Sequence, residues 1–427
     1  MKLVVTIYEE TVERAIEAIR GIRREHDIVE VRAERFASND LHGIRAATGK
    51  PILLTYRGQH IARSVVARAI EAGIDLVDVE WREGVEIVAP ERTVLSHHDY
   101  EGMRDVERIM KAMRARNCAH TKLAATPKNF ADNERLLALL SSTGNRQTPT
   151  VIGMGEHGLY SRILAPFQGA EFTFVAATNV AAPGQLTLER ALEIFGRGPL
   201  RADRVFAVVG NPAGHSLSPV IHNRLFREKS VPAAYTIASI DRFVEIREAF
   251  LRGEPCGLSV TAPFKEEAFD FATECGAEIG ENARRARAVN TLVNLGGRII
   301  ADNTDVDGFA ALLPKATRAA VIGAGGTARA ALVALADAGI PSTIYNRTAS
   351  KGDLPLEALA EFDGDLVINT LPPGASATIH PCGTYIEAAY GGSHRDVVAE
   401  VRIEGLALLE AQAVRQHHLF MKVFDES

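Results

Sequence analysis

Eight short β-branched runs, each followed by a helical or loop segment, crowd into the chain before Ala177. They are Leu3 to Tyr8, Ile28 to Arg32, Ile52 to Tyr56, Leu76 to Glu80, Val94 to His98, Ala119 to Leu123, Thr150 to Met154 and Phe172 to Ala176. Strands joined by crossovers of this length run parallel, and eight strand-helix repeats in series point to a closed barrel with its helices outside. Amphipathic stretches from Thr11 to Glu25, His60 to Ala72, Glu101 to Arg114 and Asn129 to Leu140 supply helices. The pattern stops at a seam, Gly196 to Asp203, beyond which a split α/β pattern carries a glycine-rich loop. A chain of 427 residues exceeds what one hydrophobic core usually organises. The expected fold class is therefore α/β throughout: an N-terminal (β/α)8 TIM barrel over 1–199, then a second α/β unit over 203–427.

Composition narrows the partners. A formal net charge of -6 argues against nucleic acid, and 46% hydrophobic with 24% charged residues is ordinary globular composition. Cys118, Cys256, Cys275 and Cys382 lie far apart with no Cys-x-x-Cys pair, which fits reduced thiols rather than a disulfide framework or a zinc site. No apolar run is long enough to span a bilayer, and the start, Met1 to Ile7, is too short and strand-like for a signal segment. The expectation is a soluble, cytoplasmic protein acting on small molecules, with no membrane partner.

In a barrel the chemistry sits at the C-terminal ends of the strands. Glu30 and Arg32 end the second run on one face, Arg57 follows the third, Asp78 and Glu80 end the fourth on one face, His98 ends the fifth and Lys122 the sixth. A lysine among apolar walls loses its proton readily enough to attack a ketone, and the resulting iminium withdraws electrons from the neighbouring carbon. A histidine beside it takes a proton from that carbon and returns one to a leaving hydroxyl. Either residue alone reads equally as an ordinary strand-end side chain; their conjunction with two acidic strand ends points to β-elimination. His97 and His98 are adjacent and point to opposite strand faces, so no metal site is expected.

These residues resemble the type I 3-dehydroquinate dehydratases. The matching pieces are Glu30-Val31-Arg32, Thr55-Tyr56-Arg57, Asp78-Val79-Glu80, Ser96 to Asp99, Lys122-Leu123-Ala124, Gly158 to Arg162 and Ala182 to Gln185. The resemblance implies that Lys122 forms an imine with the substrate ketone, His98 is the general acid/base and Glu80 positions it. It implies that Glu30, Arg32, Arg57, Arg162 and Gln185 hold the substrate, with Met154 packing on its ring. Ala181 stands where that family commonly has a serine.

In the second half an apolar strand, Val205 to Gly210, runs into a turn with two hydroxyls, Ser216 and Ser218, at the start of a helix, where free N–H groups suit a carboxylate. Gly257 to Lys265, Ala288 to Leu292 and Asp302 to Gly308 then offer a lysine, asparagines and an aspartate to one cleft. Ala319 to Leu332 reads strand, glycine turn, helix. Gly323 and Gly325 permit a tight turn and close approach of a pyrophosphate, and Ala328 takes the third position of the dinucleotide fingerprint. The next strand, Ser342 to Tyr345, ends in Asn346-Arg347-Thr348 where an NAD enzyme would carry an acid. Arg347, with Lys351, favours a 2'-phosphate and so NADP(H).

Together these pieces resemble shikimate dehydrogenase across the whole second half. That resemblance implies a two-lobed unit, with 203–314 and 404–427 as the substrate lobe and 315–403 as a Rossmann lobe for NADP. It implies that Ser216, Ser218, Thr261, Asn290, Tyr390 and Gln412 bind the shikimate ring, and that Lys265 and Asp305 form the catalytic pair. Gly323, Ala324, Gly325, Gly326, Thr327, Ala328, Asn346, Arg347, Thr348, Lys351 and Gly405 would hold the cofactor. Ser259 and Glu387 replace the asparagine and aspartate common there. The expected whole is a bifunctional shikimate-pathway enzyme converting 3-dehydroquinate through 3-dehydroshikimate to shikimate. Three alternatives stand beside it: one half inactive as a scaffold, a second half that uses quinate or NAD, or a barrel that is another Schiff-base lyase such as an aldolase.

Overall fold

The computed structural model describes the chain except 37–39, 58–62, 142–147, 373, 376, 391–396 and 426–427, and the side chains of Arg63 and Ala349. The chain packs into two compact units, Met1–Arg204 with Pro212–Glu245, and Val205–Asn211 with Ile246–Ser427.

The first unit opens with β1 (Lys2–Ile7), α1 (Val12–Gly21), β2 (Ile28–Arg32), α2 (Leu41–Ala46), β3 (Ile52–Thr55), α3 (Arg63–Glu71), β4 (Leu76–Glu80), β5 (Thr93–Asp99), α4 (Val106–Arg114), β6 (His120–Ala125), α5 (Phe130–Ser141), β7 (Thr150–Gly153), α6 (Leu159–Phe167), β8 (Phe172–Ala176) and α7 (Leu188–Phe195). The eight strands are parallel and ordered β7-β6-β5-β4-β3-β2-β1-β8. Between the two end strands a side chain takes the place of the ladder: the Thr150 hydroxyl accepts the Phe172 N–H at 3.1 Å.

Period-two alternation sorts the strand residues into two layers. Ile7, Val29, Val31, Ile52, Leu54 and Val77 pack outward with the helices, while Val4, Ile28, Leu53, Val94, Ala124, Ile152, Phe172 and Phe174 fill the barrel. The inward positions nearer the strand C-termini are polar, among them Glu30, Ser96 and Lys122.

Three helices differ from the sequence expectation. α1 stops at Gly21 rather than Glu25. α4 starts at Val106 rather than Glu101, because the Asp99 carboxylate accepts the N–H groups of Glu101, Gly102 and Arg104 at 2.8–3.0 Å and holds that stretch as a loop. The helix expected from His60 is seen as α3 from Arg63; its first three residues lie outside the described residues.

After the barrel come β9 (Arg204–Gly210), whose residues from Val205 belong to the second unit, and then α8 (Ser218–Glu228) and β10 (Ala233–Ser239) of the first. Within the first unit, α8 packs against α7 and β10 against α6. The Arg227 guanidinium caps α7, donating to the carbonyls of Ile194 at 2.6 Å and Glu193 at 3.1 Å.

The second unit holds α9 (Val244–Leu251, from Ile246 onward), β11 (Gly257–Val260), α10 (Lys265–Glu274), β12 (Glu278–Ile279), α11 (Glu281–Ala286), β13 (Thr291–Leu295), β14 (Arg298–Asp302) and α12 (Thr304–Leu312). Its first sheet runs β9-β11-β13-β14-β12, with β13 antiparallel to its neighbours. Then come β15 (Ala319–Ile322), α13 (Gly326–Asp337), β16 (Ser342–Asn346), β17 (Leu354–Pro355), β18 (Leu366–Asn369), β19 (Cys382–Glu387), β20 (Ala399–Ile403) and α14 (Gly405–Asp425). The second sheet is parallel, in the order β17-β16-β15-β18-β19-β20. The order reverses at β15, so its C-terminal end opens on the crevice where such sheets bind ligands. Among the described residues no helix is long and apolar enough to cross a membrane.

Candidate active sites

Strand register brings the barrel's polar residues to one end. Thr6 pairs with Glu30, Thr55 with Asp78 and Ser96 with Lys122, while His98 stands two residues beyond Ser96 on the same inward face. One cavity is lined by Glu30, Arg32, Arg57, His98, Lys122, Met154, Arg162 and Gln185, all singled out from the sequence. Glu80 stands behind: its Oε2 lies 2.8 Å from His98 Nδ1, and its Oε1 accepts the His98 backbone N–H at 2.8 Å. With Nδ1–H donated to that carboxylate, Nε2 is left as the basic nitrogen. Burial, assisted by Arg57 and Lys122, holds the His98 imidazole well below its usual value. Burial also raises the Glu80 carboxyl, with Arg57 opposing.

Lys122 is 4% exposed. Its Nζ lies 3.9 Å from Glu30, 3.7 Å from Asp78 and 3.7 Å from the centre of the Phe174 ring. Burial lowers the ammonium's pKa; Glu30 and Asp78 oppose this, and Arg57 and Arg32 add to it. Glu30 is occupied on both oxygens, accepting from Thr6 at 2.7 Å and Thr55 at 2.9 Å. Arg57 donates to Asp78, Glu80 and Ser96. Burial alone would raise the Asp78 carboxyl, but Arg57 and Lys122 hold it far below the usual carboxylate range.

Arg162 differs from the other cations. It is 5% exposed and, among the described residues, donates to the carbonyls of Gly153 at 2.8 Å and Pro183 at 3.3 Å. Among the described residues no carboxylate pairs with it, and burial pushes it down to about 10. A buried guanidinium facing a cavity has the geometry to pair with an anion that enters it. Arg32 pairs with Glu34 at 2.6 Å, Gln185 donates to Thr6 at 3.1 Å and accepts the Ala181 N–H at 2.9 Å, and Met154 follows β7 at 2% exposure.

In the second unit Lys265, the first residue of α10, donates to Asp305 Oδ2 at 2.6 Å and to the Thr327 hydroxyl at 2.8 Å. The Asn290 amide donates to Asp305 Oδ1 at 2.8 Å and to the Thr304 hydroxyl at 3.0 Å, and that hydroxyl donates to Gln412 at 2.9 Å. Lys265, Asp305, Asn290 and Gln412 therefore form one continuous network, α14 returning Gln412 to it. Thr261 follows β11 in the turn that starts α10, its carbonyl accepting the Phe264 N–H at 3.0 Å. Ser259 donates to Gln416 at 2.6 Å.

The glycine loop after β15 fits a dinucleotide. Gly323 has φ +102°, and a Cβ there would lie 2.6 Å from the Thr370 hydroxyl; a Cβ on Gly325 would meet nothing within 4 Å, leaving open space before the α13 N-terminus. Ala324 and Thr327 are half-buried, Ala328 is buried, and a Cβ on Gly326 would press on Lys265 at 3.0 Å. Beyond β16, Asn346 donates to the Thr348 carbonyl at 3.0 Å, while Arg347, Thr348 and Lys351 are exposed. Buried Gly405 sits against the Ala389–Tyr390 turn, where a Cβ would lie 2.5 Å from the Tyr390 nitrogen. Ser216 and Ser218 are buried at the start of α8, in the first unit.

Several residues to which the sequence reading gave no role complete these groups: Thr6, Thr55, Ser96, Tyr100 and Phe174 in the barrel, and Thr304 and Gln416 in the second unit. Phe174 and Ser96 were findable by period two from Phe172 and His98; Gln416 stands one helical turn after Gln412.

Comparison with known proteins places the parts. Residues 3–196 match the family described as type I 3-dehydroquinase, and residues 208–292 the one described as shikimate dehydrogenase substrate binding domain. The chain is 30% identical over 390 residues to the shikimate biosynthesis protein AroDE of Chlamydia pneumoniae, covering 81% of this chain and 79% of that one. It is 28% identical over 372 residues to the chloroplastic bifunctional 3-dehydroquinate dehydratase/shikimate dehydrogenase of Arabidopsis thaliana, covering 75% of this chain but only 60% of that protein's length. Among solved structures it is similar to the shikimate 5-dehydrogenase of Thermus thermophilus in complex with NADP(H) and shikimate, at 26% identity and a TM-score of 0.43 over 51% of this chain and 92% of that one.

Proposed function

We propose, for a chain that belongs to the AroDE-like family of bifunctional 3-dehydroquinate dehydratase/shikimate dehydrogenases, that the barrel dehydrates 3-dehydroquinate and the second half, 203–427, reduces the product to shikimate. The observation that carries the reading is that Lys122 and His98 line one cavity while burial drives both toward their uncharged forms. A neutral amine and a neutral imidazole are what Schiff-base elimination needs at its start.

In the barrel the Lys122 amine adds to the ketone and water leaves, giving an iminium. His98 Nε2 takes a proton from the carbon beside it, and the electron pair moves into the iminium. The imidazolium, steadied by Glu80, then gives that proton to the departing hydroxyl, which leaves as water. Hydrolysis of the imine frees the enone and restores the Lys122 amine. Arg162 holds the substrate carboxylate in a two-point grip, Glu30, Arg32, Arg57 and Gln185 hold its remaining polar groups, and Met154 packs on the ring.

In the second half Ser216, Ser218, Thr261, Asn290, Tyr390 and Gln412 hold the ring. The chemistry that NADPH would supply, held there, is hydride for the ketone carbon. The Lys265 ammonium delivers the proton to the new alkoxide, and Asp305 keeps that ammonium aimed. Gly323 to Ala328, Asn346, Thr348 and Gly405 hold the dinucleotide, and Arg347 with Lys351 takes its 2'-phosphate.

Borohydride trapping tests the reading. Incubation with 3-dehydroquinate and borohydride should leave one reduced adduct, on the peptide containing Lys122, and none in Lys122→Ala. An adduct on another lysine, or none with the parent protein, would contradict the assignment.

A further inference from the structure

Within the first unit, barrel side chains hold the turn that carries Ser216. Glu156, in the loop between β7 and α6, is not part of the barrel cavity's lining. Its Oε1 accepts the Gly214 N–H at 2.6 Å, the Ala213 N–H at 3.2 Å and the Ser239 hydroxyl at 2.6 Å. The approach requires glycine at 214, since a Cβ there would collide with Glu156 Oε2. Ser239 Oγ also accepts the Ala213 N–H, at 2.9 Å.

The order is transmitted along the turn. The Ala213 carbonyl accepts the Ser216 N–H at 2.9 Å, and Ser216 Oγ accepts the Ser218 N–H at 3.2 Å. From α7, Arg190 donates to the Ser216 carbonyl at 2.5 Å. A turn fixed by a carboxylate at one end and a guanidinium at the other has its hydroxyls aimed before any ligand arrives, which removes an ordering cost from binding.

We infer that Glu156 and Arg190 are positioning residues for the dehydrogenase reaction, barrel side chains that fix Ser216 and Ser218 for the carboxylate of shikimate. The inference rests on the reading of those serines as shikimate ligands. It makes the affinity of the second reaction depend on residues of the first enzyme.

The test uses the full chain and NADP-linked oxidation of shikimate. Glu156→Ala should raise the KM for shikimate about tenfold, the worth of one charge-assisted hydrogen bond. Both kcat and the rate of 3-dehydroquinate dehydration should hold. Glu156→Gln, whose amide oxygen still accepts the Gly214 N–H, should recover part of the loss, and Ser239→Ala should raise KM from the other side of the contact. An unchanged KM in Glu156→Ala beside a raised one in Ser216→Ala overturns the inference alone. An unchanged KM in Ser216→Ala removes the ligand reading and the inference with it. Equal losses in both reactions mark a general structural role and overturn the positioning role.

Discussion

Arg57 and Asp78 meet in a two-point ion pair, Nη2 to Oδ2 at 2.7 Å and Nη1 to Oδ1 at 2.9 Å, with the carboxylate fully buried. Removing the Asp78 charge leaves the buried Arg57 guanidinium with Glu80 as its remaining ion-pair partner among the described residues. Asp78→Asn should therefore cost the barrel about 1–3 kcal/mol in chemical denaturation. A loss below about 0.5 kcal/mol, the range of an ordinary surface change, would mean the pair is solvated in practice.

The dehydration rate should be insensitive to acid over a range where an ordinary histidine titrates. Burial first, then Arg57 and Lys122, hold His98 below its usual 6.5, with Asp78 opposing. The imidazole then remains a base as pH falls through 6.5, and His98 adds no fall in kcat/KM there. The same shift has a stability sign: below 6.5 the unfolded chain binds the proton that the folded one refuses. Stability is thus whole above 6.5 and declines as pH drops toward the folded value. A kcat/KM profile falling with a midpoint of 6.5 would show a normally titrating imidazole.

Cofactor choice should follow Arg347, exposed just past β16. Arg347→Ala should raise the KM for NADPH about tenfold or more, the worth of a charge-assisted contact with phosphate, and leave that for NADH as it was. Equal changes for the two cofactors would take the 2'-phosphate away from Arg347.

The nucleotide loop should not tolerate a side chain at Gly323. Its φ of +102° and the Thr370 hydroxyl 2.6 Å from a built Cβ make Gly323→Ala costly on two counts. The variant should lose more than about 1 kcal/mol of stability and bind NADPH more weakly. A parent-like melting curve and NADPH affinity would contradict this account of the loop.

Much of the barrel was legible because strand alternation is a strict code. Once β2 and β4 were placed, Glu30 with Arg32 and Asp78 with Glu80 had to share a face, and His98 and Lys122 had to look inward. The hydroxyls that hold those groups were not legible: Thr6, Thr55 and Ser96 are ordinary strand residues until register sets them opposite a carboxylate. The contact of α8 with α7 was hidden for a related reason. It depends on Arg227 reaching the end of α7 past Gly196, where a Cβ would lie 2.6 Å from its Nε. A glycine in the seam reads as a linker residue, although here it makes room for a helix cap. The Thr304–Gln412 contact that ties α14 to the lysine–aspartate group spans 108 positions and leaves no local trace.

The most direct test of the two-step account gives the purified protein 3-dehydroquinate and NADPH with no other enzyme and follows nicotinamide oxidation. Oxidation should proceed, and it should be abolished by either Lys122→Ala or Lys265→Ala, with added 3-dehydroshikimate rescuing only the first. No oxidation by the parent protein from 3-dehydroquinate, or oxidation that survives Lys122→Ala, would contradict it.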